Sequence, residues 1–191
     1  TETCNVAGFL GHGASLTSIL YNGSLAWYFY LTIVQEYRHE DIQSTWYLEP
    51  AMHALPWLVG WSTAAALWPL EYYNPIGWTC WIGSYPPGCS DTTYPCTRGA
   101  TQVDAYRWAF FHAQAWFVFA VAGITLGAIY LTVRKREAVM EQYAFAHRSS
   151  SLRGPRTTPQ PSTLAQRVAI QACLYQFFFF LTWVFPMMQF V

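Results

Sequence analysis

The stretch that decides the fold runs from residue 3 to residue 35 and reads TCNVAGFLGHGASLTSILYNGSLAWYFYLTIVQ. It contains no Asp, Glu, Lys or Arg, it includes Cys4 near its start, and Glu36, Tyr37 and Arg38 follow it directly. A helix rises about 1.5 Å per residue, so this stretch is longer than the roughly 30 Å hydrocarbon core of a bilayer. The stretch therefore predicts a membrane-spanning helix.

The composition of the whole chain is typical of a membrane protein. Of the 191 residues, 53% are hydrophobic and only 10% are charged, whereas a soluble domain carries roughly 25% charged residues. Three more runs lack charged side chains, at 50–70, 108–133 and 168–191. Together with 5–35 they predict an all-α membrane protein with four transmembrane helices. We interpret residues 1–191 as a single partial domain, an excerpt from a longer membrane protein.

Small and weakly polar residues form a stripe along the first predicted helix. Their three- and four-residue spacing places them on one face. The stripe consists of Gly8, Gly11, Ser15, Ser18 and Asn22. Small side chains let helix backbones approach closely in a membrane, so we expect this helix to pack against several neighbours.

The distribution of basic residues predicts an orientation. Residues 134–167 carry seven Lys and Arg against two Glu, which assigns this segment to the cytoplasm by the positive-inside rule. Strict alternation then places 36–49 in the cytoplasm and 71–107 outside. The predicted location is a multi-pass position in a bilayer, the plasma membrane.

Four of the five cysteines fall on the predicted outer side, where disulfides persist. Four cysteines allow three pairings, which sequence alone does not distinguish. We favour Cys4 with Cys80, because both lie next to predicted span ends, and Cys89 with Cys96 within the loop. Free thiols at Cys89 and Cys96 are the alternative.

The sequence contains no pattern typical of catalysis. His12, His53 and His112 lie in or near the predicted spans without the spacing of metal ligands, and a histidine bonded to a neighbouring helix is the simpler interpretation. We therefore expect neither an enzyme nor a metal or other cofactor, and no nucleic-acid partner. Charged side chains are also missing at membrane depth, where ion-coupled transporters and channels use them, and this favours a receptor.

Several features together resemble the third to sixth helices of a seven-helix G-protein-coupled receptor. They are a span beginning at Cys4, a partner cysteine within Thr79-Cys80-Trp81-Ile82, a long basic inner loop and a following span with Pro186. The closest likeness is to the cAMP-receptor-like and secretin-like branches, and to protist receptors of that kind. The motifs similar to the protist receptors are Glu49-Pro50, His53, Asn74-Pro75 and Cys96-Thr97-Arg98-Gly99.

The resemblance implies part of a seven-helix bundle, with a disulfide-bonded extracellular loop and a heterotrimeric G protein as the cytoplasmic partner. An extracellular ligand of unknown identity would then bind near Gly8, Gly11, His12 and Trp81. The residues expected to face the G protein are Glu36, Tyr37, Arg38, Arg134, Lys135 and Arg136. The order Glu36-Tyr37-Arg38 differs from the acid-Arg-aromatic order of rhodopsin-like receptors. A non-signalling membrane protein, such as a transporter or a structural component, is the alternative.

Overall fold

The chain is mostly helical and carries one small antiparallel sheet. The computed structural model describes residues 2–77, 79–89, 94–99, 102–150 and 162–189. Residues 151–161 of the predicted inner loop, and the last two residues of the predicted fourth span, lie outside the described residues. The helices are α1 (Glu2–Ile33), α2 (His39–Ser44), α3 (Leu48–Leu67), α4 (Val103–Arg107), α5 (Ala113–Ser150) and α6 (Ser162–Gln189). A π-helical turn, Trp108–His112, joins α4 to α5.

The prediction of four transmembrane helices, and with it the four-helix part of a seven-helix bundle, is wrong. Within the described residues, only the helical segment Val103–Met140 is both long and apolar enough to cross a membrane. In α6 the apolar part is shorter, Ile170–Trp183. A run without charged side chains is not necessarily an apolar run. Helix α1 has no Lys or Arg, but its many Gly, Ser and Thr residues, with Asn22, lower its mean hydropathy.

The chain forms two compact units, and both α1 and α5 contribute to each of them. The first unit comprises Thr1–Leu25 and Glu40–Val121, and the second comprises Ala26–His39 and Ala122–Val191. Apolar side chains from several elements fill the core of the first unit. They include Leu16, Ile19, Ala64, Leu67, Ile82 and Ala115, all fully buried.

Helices α1 and α3 approach closely where both lack side chains. A Cβ atom at Gly60 would overlap the hydroxyl of Thr17 and lie 3.1 Å from the carbonyl oxygen of Gly13. A Cβ atom at Gly13 would lie 2.8 Å from the Trp61 ring. Helix α1 therefore packs closely against α3 through Gly13, which is not in the predicted stripe, whereas a Cβ atom at Gly11, which is in the stripe, would meet nothing within 4 Å.

A β-hairpin follows α3. Strand β1 (Tyr73–Ile76) pairs antiparallel with β2 (Thr79–Ile82), and Tyr73 lies opposite Ile82. The connection begins at Gly77, whose φ of +61° suits a residue without a side chain. A two-stranded hairpin is at best marginally stable by itself, so contacts with the helices must hold it in place.

The crossing of α1 and α3 generates the first prediction. We expect Gly60→Ala to lower the free energy of unfolding by about 1–3 kcal/mol, because the new methyl group overpacks the contact with Thr17. Gly11→Ala is the matched control. There the methyl group enters open space, and replacing a helical Gly with Ala stabilises by up to about 1 kcal/mol. Thermal unfolding of the purified protein, followed by circular dichroism, measures both. Equal melting temperatures for the two variants would contradict the close approach.

Candidate functional site

The Cys4–Cys80 disulfide fastens the hairpin to the first turns of α1. The two Cα atoms are 5.3 Å apart, and 76 positions separate the two residues in the chain. A second disulfide joins Cys89 to Cys96, with a Cα–Cα distance of 5.1 Å. These are the pairings that the sequence favoured. Among the cysteines, Cys173 has a free thiol.

Beneath the hairpin, four rings form a cluster, which we call the ring cluster: His12, Tyr73, Trp81 and Phe111. The His12 ring stacks on Trp81 with a centroid distance of 5.8 Å, and Phe111 meets Trp81 edge-on at 4.9 Å. Phe111 also meets His12 edge-on, at 5.6 Å. His12 and Tyr73 are fully buried. The ring cluster thus joins α1, both strands of the hairpin and the π-helical turn.

The hydroxyl of Tyr73 fixes the orientation of His12. It donates a hydrogen bond to the carbonyl oxygen of Ala64 at 3.0 Å, and Nδ1 of His12 lies 3.3 Å away. The hydroxyl thus lies within hydrogen-bond distance of both groups, and its single proton is directed to the carbonyl. Burial raises the pKa of the Tyr73 phenol above its usual range, so this hydroxyl remains protonated at physiological pH.

The four predicted ligand-binding residues have different environments. His12 and Trp81 stack on each other within the ring cluster. Gly8 lies under Tyr73, because a Cβ atom at Gly8 would be 2.6 Å from the Tyr73 ring. Gly11 borders open space. The structure therefore brings Gly8, His12 and Trp81 together as packing partners.

The polypeptide after the hairpin adds a second set of contacts with α1. Nη2 of Arg98 donates to the side-chain oxygen of Asn5 at 2.8 Å, and Nε of Arg98 lies 3.6 Å from a carboxylate oxygen of Glu71. The backbone amide of Tyr85 donates to the carbonyl of Arg98 at 2.9 Å. The cation of Arg98 thus links the start of α1 to the turn that follows α3, next to the Cys4–Cys80 disulfide.

A charged contact lies at the other end of α1. Nη2 of Arg136 donates to the carbonyl oxygen of Ile33 at 3.0 Å and also to the carboxylate of Glu36. A cation at this position stabilises the unpaired carbonyls at a helix C-terminus. Glu36 itself has a left-handed backbone, with φ of +57°. The structure therefore brings together Arg136 and Glu36, two of the residues that were predicted to face a G protein.

The other residues predicted at the inner face have different degrees and kinds of contact. Tyr37 and Arg38 are exposed. Arg134 lies over the ring of Tyr130, with 5.9 Å between its guanidinium carbon and the ring centroid, and Lys135 is exposed.

Three residues that define these contacts were not among the predicted site residues. Tyr73 and Phe111 complete the ring cluster, and Ile33 contributes the carbonyl that binds Arg136. The Gly77 turn between two short runs rich in aromatic and β-branched residues could have indicated the hairpin, and hence an inward position for Tyr73. Within the described residues, no group of three or more His, Cys, Asp or Glu side chains is placed to hold a metal ion.

The chain matches no known protein family, no curated protein and no solved structure.

The Tyr73 hydroxyl generates the second prediction. We expect Tyr73→Phe to lower the free energy of unfolding by about 1–3 kcal/mol, because the carbonyl of Ala64 and Nδ1 of His12 lose their partner in a buried site. Tyr94→Phe is the control, since it removes an exposed hydrogen bond to the carbonyl of Pro87. Chemical denaturation of both variants gives the two values. A cost for Tyr73→Phe no greater than that for Tyr94→Phe would contradict the proposed network.

Proposed function

We propose that this protein is a membrane receptor that passes an extracellular signal to a cytoplasmic heterotrimeric G protein. One observation carries the proposal: α1 is bound at its start to a disulfide-fastened hairpin and at its end to a charged contact with α5. The first attachment is Cys4–Cys80, with the ring cluster beneath it. The second is Arg136 with Ile33 and Glu36. A receptor needs a helix that connects a ligand-facing element to an effector-facing one.

The charge distribution around the apolar segment supports the orientation. Arg134, Lys135 and Arg136 lie near the C-terminal end of Val103–Met140, which favours a cytoplasmic position for that end. The hairpin and its disulfides precede Val103, so they would lie on the oxidising side.

A multi-pass position in the plasma membrane is part of the same proposal. One end of α1 is bound to Cys80, which precedes the apolar segment Val103–Met140, and the other end is bound to Arg136, which lies near the C-terminal end of that segment. A location in the plasma membrane follows from a role in extracellular signalling.

Signal transfer would be a shift between two populations. A ligand changes the equilibrium only by binding one state more tightly than the other. We propose that ligand contacts near Gly11 and the hairpin favour a state in which the Arg136–Glu36 contact is open. A G protein that binds this open inner face, including Tyr37 and Arg38, would then stabilise it further.

The third prediction tests the signalling function directly. In cells that express the full-length protein at the surface, we expect basal activation of at least one class of G protein, measured as dissociation of tagged Gα and Gβγ subunits. Cells with the same surface level of an unrelated membrane protein provide the baseline. If no class responds, under basal conditions or with any applied extract, the receptor proposal fails, and a non-signalling transporter or structural membrane protein takes its place.

The Arg136–Glu36 contact generates the fourth prediction. We expect Glu36→Gln and Arg136→Gln each to raise basal signalling by about 1.4- to 5-fold, because an exposed ion pair contributes roughly 0.2–1 kcal/mol. The double variant Glu36→Arg/Arg136→Glu restores the pair with reversed charges, and its basal signal should return towards the wild-type value. Signalling is normalised to surface expression. If the basal signal of the reversed pair exceeds the wild-type signal by the sum of the increases in Glu36→Gln and Arg136→Gln, the contact does not control the equilibrium.

A further inference from the structure

We propose that Arg134 and Lys135 bind the anionic headgroups of phospholipids at the membrane surface. This inference goes beyond the signalling function. It depends on the apolar segment Val103–Met140 being in a bilayer, and it holds whether or not the protein couples to a G protein.

Helix α5 separates its three consecutive basic residues onto two faces. The inward face runs through Ala122, Thr125 and Ile129, which are all buried. Arg136 lies seven positions after Ile129 and so continues this face, where it binds the carbonyl of Ile33 and the carboxylate of Glu36. Arg136 is thus occupied by contacts within the protein.

The outward face of α5 ends in the other two basic residues. The side chains of Ile124 and Leu131 are exposed by 73% and 58%, although both are strongly apolar. Arg134 and Lys135 follow Leu131 by three and four positions, so they lie on the same face one turn further along the helix. On this face, apolar side chains give way to cations within about 6 Å of helical rise.

Tyr130 marks the point of transition. It is exposed by 56%, and aromatic residues with a polar tip are enriched at the boundary between hydrocarbon and headgroups. The guanidinium of Arg134 lies over its ring, and Nη1 of Arg134 is 3.4 Å from the Tyr130 hydroxyl. This contact positions Arg134 just beyond the boundary, at the depth of lipid phosphates.

The charges of Arg134 and Lys135 are not neutralised by the described part of the chain. Neither residue takes part in the ion pairs Arg98–Glu71, Arg107–Asp104 and Arg136–Glu36. Both side chains are exposed, and an Arg guanidinium matches the oxygens of a phosphate group with two parallel hydrogen bonds. Because the same face is apolar up to Leu131, the occupant that fits both parts is a lipid with a hydrocarbon tail and a negatively charged headgroup.

The fifth prediction measures lipid selectivity with the full chain in nanodiscs of equal parts phosphatidylserine and phosphatidylcholine. Native mass spectrometry then gives the ratio of the two lipids that remain bound. We expect wild type to retain phosphatidylserine preferentially. In Arg134→Gln/Lys135→Gln this preference should fall by about fivefold for each charge removed, since each basic residue near an anionic surface contributes on the order of 1 kcal/mol.

Two control variants separate charge from structure. Arg136→Gln removes one charge from the same cluster, but from the face that contacts Ile33 and Glu36, and should keep the wild-type ratio. Arg134→Lys/Lys135→Arg conserves both charges and should keep most of the preference. A non-reducing peptide map that still links Cys4 to Cys80 shows that each variant is folded.

Three results would overturn the proposal. The first is a wild-type ratio in Arg134→Gln/Lys135→Gln, which would leave the pair available for the G protein instead. The second is an equal loss of the preference for phosphatidylserine in Arg136→Gln, which would mean that lipid binding is not confined to the outward face of α5. The third is displacement of phosphatidylserine by inorganic phosphate but not by sodium chloride of equal ionic strength, which would identify a site for a soluble phosphate rather than a lipid.

Discussion

Close backbone approach along α1 is the constraint on which the rest of the first unit depends. Gly8 lets the ring of Tyr73 lie directly against the helix, and Gly13 with Gly60 lets α3 cross it. Only with Tyr73 at this distance can its hydroxyl reach Nδ1 of His12 and the carbonyl of Ala64. The position of the hairpin is therefore set by glycines, which have no side chain, as much as by the disulfide.

Local runs without charges predicted the helical segments, and the favoured pairing of Cys4 with Cys80 came from their positions next to predicted span ends. Long runs without charges became α1, α3, α5 and α6, although only Val103–Met140 is apolar enough to cross a bilayer. A helix without charges can be buried, but each Gly, Ser and Asn makes the free energy of its transfer into a bilayer less favourable. The count of spans failed for this physical reason.

The candidate site was harder to predict because its contacts join residues far apart in the chain. Tyr73 reaches His12 across 61 positions, and Arg136 reaches Ile33 across 103. No local periodicity encodes such pairs. The sequence indicated that His12, Trp81, Glu36 and Arg136 were of interest, but the rings and carbonyls that complete their surroundings became visible only in the folded chain.

Two covalent connections join the hairpin to different helices, in addition to the contacts of the ring cluster, and this limits how it can move. Its first strand continues from α3 through the turn at Glu71, while Cys80 in its second strand is covalently bound to α1. A hairpin held at one point could swing away from the helices, whereas one joined covalently to two different helices is restrained at both connections. Any force applied to its tip is therefore divided between α1 and α3, and the disulfide makes α1 a direct mechanical recipient of that force.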